Sequence, residues 1–458
     1  MRSSIGIAPG SDTRATFRVP KCTHPEADTN LVALQELQNS VVRFSLFWLA
    51  AANLVGILLA FLLVCPRAGE WLGEFSYGRW VALHLNWQLY GWCSLPAVGV
   101  LLKRFLRPTP AGLEQARGAL WAWSLALALG GLSWLEGQTS GKLFLDWIGL
   151  ARILFVFAMV FLWVVLGWNF WQRERMPIRP GDRNGWVADV ALLAALAAVP
   201  WSLYWSSGRA IYPSVDPGTG GPTGASLLAS TLGIVLIAGL IPWMLGIPGN
   251  PGIRWKPFWF CFAGEAVVCT IVSHGNSSHF DWRQASALAS LAIWVPMLGM
   301  YWRRFAWNSE SILWLRATQM WWGLLVITGI IAFLPGVLDR IKFTHVLVAH
   351  SHLAMAGFLT NMNMLVLSNL STPSGKAVRS ILNPVPFFAW QASLALHLAC
   401  LVSIGWVESV NPELWFTGSL TALLWARLGA GVLMAAVSIH WIAGAQKIRG
   451  YRPGIRTY

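Results

Sequence analysis

The chain has 458 residues, of which 56% are hydrophobic and only 11% are charged, and its formal net charge is +14. A soluble domain of this size carries about 25% charged residues, so the composition excludes an ordinary soluble protein. Apolar runs of roughly 20 residues recur along the whole sequence, which predicts an all-α, polytopic membrane protein.

The apolar runs predict about twelve transmembrane helices in a single domain. The first 40 residues are polar and lack a signal-peptide core, so we expect a cytoplasmic N-terminal segment over 1–42. A transmembrane domain over 43–446 and a basic cytoplasmic tail over 447–458 are expected to follow. The predicted spans lie near 43–65, 80–102, 118–135, 148–171, 187–207, 225–247, 258–279, 286–302, 317–334, 343–369, 385–406 and 417–444.

Basic residues are concentrated in alternate loops. Lys103, Arg104 and Arg107 follow the second span, whereas the loop near 406–416 carries two glutamates and no base. An even number of spans with both termini in the cytoplasm satisfies the positive-inside rule at nearly every turn. The net charge of +14 therefore has an explanation within the membrane topology, and no nucleic-acid partner is predicted.

The tenth span begins with three histidines in the segment Thr-His-Val-Leu-Val-Ala-His-Ser-His-Leu-Ala-Met-Ala-Gly, residues 344–357. An ionisable side chain inside a membrane is a functional-site hypothesis by default, because it is costly without a partner. On a helix, His350 and His352 point about 200° apart. The helix could therefore hold a metal cofactor on each side.

The predicted topology brings six of the nine histidines into one outer layer of the membrane. A low-spin haem needs two axial imidazoles, and we predict His84 on the second span and His352 for that pair. His350 is then predicted to be the single proximal ligand of a second haem. His345 lies about 10 Å outward of His352, a position suited to a haem edge, a propionate or water. The six are His84, His274, His279, His345, His350 and His352.

No Cys-x-x-Cys-His motif is present, so any haem is expected to bind non-covalently. Further ionisable residues lie within the predicted spans. Glu265, deep in the seventh span, is a candidate for proton transfer, with a hydrogen-bonded packing residue as the alternative. Arg427, in the last span, could bind haem propionates through bidentate hydrogen bonds, with snorkelling toward the membrane surface as the alternative. His397, in the eleventh span, is expected to be a core residue rather than a ligand.

These motifs resemble those of haem–copper oxidase catalytic subunits (subunit I), especially nitric oxide reductases and C-family (cbb-type) oxidases. Residues 344–357 resemble the tenth helix of that family, and His84-Leu-Asn-Trp-Gln-Leu-Tyr-Gly resembles its second helix. The resemblance implies that His84 and His352 bind a haem b and His350 the active-site haem. It also implies a bacterial-type inner (cytoplasmic) membrane and a hetero-oligomeric complex with cytochrome c-type or other redox subunits.

The sequence departs from this family at the copper or non-haem iron site. The family takes one His from helix six and a His-His pair from helix seven, whereas span 225–247 contains no His and the pair is matched only by Ser278 and His279. One or two imidazoles would hold copper weakly, so a bound copper ion is not expected, although His279 stays a possible metal ligand.

Three functions remain open from the sequence. The first is a haem-bearing electron-transfer subunit of a respiratory complex, the function that we favour. The second is an active terminal oxidase or nitric oxide reductase with an unusual metal site built from His274, His279 or His345. The third is a haem-free structural membrane subunit that keeps only the fold.

Overall fold

The computed structural model describes residues 25–174, 183–250, 256–370, 376–411, 413–414, 418 and 420–446. The regular secondary structure of these residues is helical, and no β-strand occurs among them beyond two isolated β-bridges. The helices are α1 (Pro25–Val64), α2 (Tyr77–Asn86), α3 (Leu95–Phe105), α4 (Pro110–Leu135), α5 (Gly149–Glu174), α6 (Arg183–Ser206), α7 (Gly224–Met244), α8 (Lys256–Val272), α9 (Trp282–Ser290), α10 (Trp294–Trp302), α11 (Ile312–Phe333), α12 (Leu338–Ile341), α13 (His345–His352), α14 (Thr360–Leu370), α15 (Lys376–Leu382), α16 (Pro384–Val410) and α17 (Thr421–Gln446).

Ten helical segments in the described part of the chain are long and apolar enough to cross a membrane. The predicted class, an all-α multi-pass membrane protein, is therefore confirmed. The segments are Leu34–Val64, Pro110–Leu135, Gly149–Arg173, Gly185–Ser206, Gly224–Met244, Trp282–Trp302, Ser309–Phe333, His345–Leu370, Pro384–Val410 and Thr421–Gln446.

Two of the twelve predicted spans differ from this set, for different physical reasons. The predicted span 80–102 is helical from α2 to α3, but the stretch is divided by a π-helical segment at Trp87–Cys93. The predicted span 258–279 ends early, because α8 has only 17 residues and stops at Val272. Gly275 follows in the left-handed region at φ 89°, and Asp281 then caps α9.

The ends of the predicted domain also differ from the helices. α1 begins at Pro25, before the predicted domain boundary at residue 43, and its candidate span begins at Leu34. Residues 1–24 of the predicted cytoplasmic segment and the predicted basic tail 447–458 lie outside the described residues.

Two π-helical segments follow the histidine-bearing helices. One, Trp87–Cys93, comes directly after α2, and the other, Leu353–Leu359, comes directly after α13. The two segments pack together, and the Trp92 indole N–H donates to the hydroxyl of Thr360, the residue directly after the second segment, at 2.8 Å. π-Helical turns occur mostly as single interruptions of α-helices and frequently at functional sites.

The helices that carry the site pack around α13 and α17. α1 packs against α2 and α17, α16 packs against both α13 and α17, and α11 lies beside the π-helical segment that follows α13. Large aromatic side chains fill these contacts, and Trp92, Trp390 and Trp441 are fully buried. This packing brings α1, α2, α16 and α17 together on one flank of the histidine-rich helix α13.

Candidate functional site

Two cavities lie on opposite flanks of α13. The first, here the His84 cavity, has a volume of about 330 Å³ and is lined by both His84 and His352. The second, the His350 cavity, has a volume of about 360 Å³ and is lined by His350. The 100° rotation per residue of an α-helix sends the side chains of residues 350 and 352 to these separate spaces. Both volumes lie in the range of small-molecule sites.

His84 is oriented by the backbone of α1. Its Nδ1–H donates to the Ala52 carbonyl at 2.8 Å, which leaves Nε2 as the nitrogen with a lone pair. Gly56, one turn further along α1, provides the space for the ring, because a Cβ at this position would lie 2.9 Å from His84 Cε1. At metal centres, a ligating imidazole usually donates its other ring N–H to a carbonyl or carboxylate, and this hydrogen bond fixes its tautomer.

His352 shows the same hydrogen-bonding pattern. Its Nδ1–H donates to the Val348 carbonyl at 2.8 Å, one turn earlier in α13, and Nε2 again keeps its lone pair. The His84 cavity is thus lined by two imidazoles from different helices, and each carries its proton on Nδ1.

His350 is held by α11. Its Nδ1 lies 3.3 Å from the Thr328 hydroxyl, which itself donates to the Leu324 carbonyl at 2.7 Å. The hydroxyl therefore accepts from His350 Nδ1–H, and Nε2 is the nitrogen available to a ligand. A Cβ at Gly329 would lie 3.2 Å from His350 Cε1, so this glycine accommodates His350 as Gly56 accommodates His84.

The walls of the His350 cavity are mainly apolar. Leu227 and Ile234 of α7 and Trp322 of α11 contribute hydrophobic surface, and Ser230 and Thr231 contribute two hydroxyl groups. α7 corresponds to the predicted sixth span. In haem–copper oxidases, which the sequence motifs resemble, the sixth helix supplies a metal-binding His. In this protein, α7 contributes only aliphatic and hydroxyl-bearing side chains to the cavity.

Arg427 lies in the wall of the His84 cavity and is only 7% exposed. Its Nη1 lies 3.4 Å from His345 Nε2, and His345 Nδ1 lies 2.7 Å from Glu408 Oε1. The three side chains form a chain from the cavity to Glu408, in which the carboxylate accepts from His345 and His345 accepts from the guanidinium. Arg427 Nε is buried without a hydrogen-bond partner. An anionic group in the cavity would give this donor an acceptor.

His279 is enclosed by two carboxylates, Asp216 in the loop before α7 and Asp339 in α12, beside the wall of the His350 cavity that Phe333 and Leu338 contribute. Its Nδ1 lies 2.6 Å from Asp216 Oδ2 and its Nε2 lies 3.1 Å from Asp339 Oδ2, and the ring is fully buried. Both ring nitrogens therefore face carboxylate oxygens. The possible metal-ligand role of His279 stays a prediction, and this arrangement leaves it no free nitrogen.

Asp216 stabilises the hydrogen-bonded cluster that it forms with His279 and Asp339. Burial alone would raise its pKa, but hydrogen bonds from the Gly218 amide and from His279 outweigh it and hold the pKa below its ordinary value of 3.8. Because the folded-state pKa is depressed, the ionised carboxylate contributes stability fully above pH 3.8, and this contribution is lost as the pH falls through the folded-state pKa.

We expect Asp216→Asn to lower the free energy of unfolding at neutral pH by on the order of 2 kcal/mol, because hydrogen bonds to a buried charged group are weakened. The measurement is the thermal midpoint in detergent, with the exposed Glu74→Gln as the control. The difference between the wild type and Asp216→Asn should shrink as the pH is lowered below 4. A midpoint equal to that of the control at neutral pH would contradict the stabilising role.

Glu265 is half-buried on α8, and the Ser290 hydroxyl donates to its Oε2 at 2.8 Å. Its role in proton transfer stays a prediction. The other possible metal ligands lie in separate contacts, with His274 Nε2 3.6 Å from Asp281 and His345 bound to Glu408. Over the described ranges, no group of three or more His, Cys, Asp or Glu side chains is arranged to hold a metal ion.

His397 belongs to the His84 cavity, although the sequence favoured a core role. It lines the cavity from α16, and its ring centroid lies 4.9 Å from that of His352. The sequence carries one signal for it, an unaccompanied histidine in the middle of an apolar span. Glu408, Gly56 and Gly329 carried no such signal, since their relation to the histidines depends on contacts between helices.

The arrangement has the features of a cofactor site without identifying the cofactor. In the His84 cavity, two imidazoles with a lone pair on Nε2, a buried guanidinium and largely apolar walls could hold a flat, anionic metal complex. Neither a protein-family model nor a curated protein matches the chain. The resemblance to haem–copper oxidases therefore rests on the short motifs around His84 and residues 344–357 alone.

Proposed function

We propose that the chain is a haem-binding membrane redox subunit of a respiratory complex, in which a haem b is held between His84 and His352 and a second haem by His350. The observation that carries the proposal is the common orientation of His84 and His352. Each donates Nδ1–H to a backbone carbonyl and each lines the same cavity. This pattern supports iron ligation through Nε2 on both sides of a ring.

The charge and the apolar surface of the cavity support the same ligand. Arg427 offers a buried guanidinium with an unused Nε donor, which suits a propionate. Leu49, Ile57 and Trp390 contribute apolar wall suited to a macrocycle. A haem bound here would supply one-electron chemistry. The residues of the chain would hold its iron through Nε2, neutralise its acid groups and exclude water.

The proposal includes twelve membrane crossings, with both termini in the cytoplasm of a bacterial-type inner membrane. The helical stretch from α2 to α3 and the helix α8 would supply the two crossings beyond the ten long helices. An even number of crossings then places the basic loops on one side. Electrons would be exchanged with cytochrome c-type or other redox subunits, because the haems would lie within the membrane.

The His350 cavity favours electron transfer over oxygen or nitric oxide reduction. Its α7 wall presents Leu227, Ser230, Thr231 and Ile234 toward the space beside His350. Aliphatic and hydroxyl groups are poor ligands for copper, which prefers imidazole and thiolate. We therefore propose an electron-transfer subunit, with a copper-dependent reductase as the alternative that metal analysis tests.

The proposal is tested by counting haems in the purified chain, with reduced-minus-oxidised spectra. We expect two non-covalent haems in the wild type. His84→Ala should lose the low-spin haem and keep one haem, and His350→Ala should lose the other haem and keep the low-spin spectrum. His440→Ala, an exposed position on α17 remote from both cavities, is the matched control.

Three outcomes separate the alternatives. A wild-type protein without haem would contradict the proposal and leave a structural subunit. Stoichiometric copper or non-haem iron, together with turnover of oxygen or nitric oxide, would contradict the electron-transfer function and support an active oxidase or nitric oxide reductase. Loss of equal amounts of haem in His84→Ala and His440→Ala would contradict the assignment of His84.

A further inference from the structure

His397 lies in the His84 cavity with an unused nitrogen. The residue is 6% exposed, and it is positioned by α16, a different helix from those that carry His84 and His352. Its Nδ1 lies 3.3 Å from the Arg427 carbonyl. A carbonyl can only accept, so Nδ1 carries the proton and Nε2 holds a lone pair.

This Nε2 atom is buried and has no hydrogen-bond partner. A buried acceptor without a partner costs the free energy of its lost solvation, so a histidine that serves packing alone normally satisfies both nitrogens. A bond from Nε2 to a metal ion would use the same lone pair. His397 thus has the protonation pattern of His84 and His352, with an acceptor that the protein itself leaves unused.

His397 and His352 are also neighbours. Their ring centroids are 4.9 Å apart and the ring planes are inclined by 46°. Ring contact of this kind explains the packing of the two imidazoles but gives no partner to Nε2 of His397. The cavity therefore holds two adjacent imidazoles, from α13 and α16, and a third imidazole from α2.

We infer that His397 is a second imidazole able to ligate the iron of the haem in the His84 cavity, in exchange with His352. This inference rests on the proposed function. In the exchange the bond between iron and His352 Nε2 breaks and the bond between iron and His397 Nε2 forms. Both imidazoles are neutral donors with Nδ1–H retained on a carbonyl, so the step transfers no proton and no electron.

The exchange is tested with His352→Ala, His397→Ala and the double variant in the full chain. The readouts are the haem content, the reduced-minus-oxidised spectrum and the electron paramagnetic resonance of the ferric protein. We expect His397→Ala to keep the low-spin haem. His352→Ala should keep more than half of the low-spin haem, because His397 can take over as ligand. The g values should shift, because this imidazole comes from another helix. The double variant should lose the low-spin signal.

Controls separate a lost ligand from a lost fold. The haem of the His350 cavity should remain in all three variants, and added imidazole should restore a low-spin signal to the double variant if the cavity is intact. A His352→Ala protein that has lost as much low-spin haem as the double variant would overturn the inference and leave the proposed function standing. A wild type without haem would overturn the proposed function itself.

Discussion

Gly56→Val is expected to remove the haem that we propose for the His84 cavity, while the haem proposed for the His350 cavity stays bound. A Cβ at this position already lies 2.9 Å from His84 Cε1, and the added methyl groups of valine would occupy the space of the ring. His84 would have to rotate, which breaks its bond to the Ala52 carbonyl and displaces Nε2. The haem count should fall from two to one, with loss of the low-spin spectrum.

Two glycines provide matched controls for this change. Gly429→Val places the same side chain on α17, where a Cβ meets no atom within 4 Å, and should leave both haems in place. Gly329→Val should produce the reciprocal result, because its Cβ would lie 3.2 Å from His350 Cε1. Retention of the full low-spin haem in Gly56→Val would show that the ring position of His84 does not matter for binding.

Arg427→Met is expected to lower the midpoint potential of the haem proposed for the His84 cavity by on the order of tens of millivolts, and to weaken the binding of that haem. A buried cation stabilises the reduced haem, which carries one more electron, and the low dielectric of the site strengthens this interaction. The acid groups of the haem would also lose the hydrogen bonds that the guanidinium would donate to them. The measurement is a potentiometric titration followed at the low-spin band.

The hydrogen-bonded side chains Arg427, His345 and Glu408 offer a control in which the midpoint potential should shift in the opposite direction. Glu408→Gln removes a negative charge from this series of hydrogen-bonded side chains, and it should raise the midpoint potential of the haem. Arg427→Lys keeps the charge without the planar fork and should lie between methionine and the wild type. An unchanged potential in Arg427→Met would contradict the placement of the guanidinium beside the ligand.

The local features of the fold could be predicted from the sequence because they depend on neighbouring residues. Composition and apolar runs predicted a multi-pass helical membrane protein, and helical periodicity predicted separate flanks for His350 and His352. The interruptions could not be predicted in the same way. The π-helical segment at Trp87–Cys93 and the early end of α8 at Val272 reduce the spans recognised in the structure to ten. The hydrophobic pattern runs on past the first of these, whereas the residues that follow Val272 are polar, so the predicted end of that span at residue 279 lies in a loop.

By itself the sequence determined the environment of this protein and the helix that carries its histidines. The tertiary structure alone decided which groups those histidines meet. Hydrophobicity and helical periodicity are properties of consecutive residues, whereas the bond from His84 to Ala52 and the carboxylates around His279 join residues distant in the chain. The same packing of α13 against α16 brought His397 beside His352, a contact that no spacing along either helix encodes.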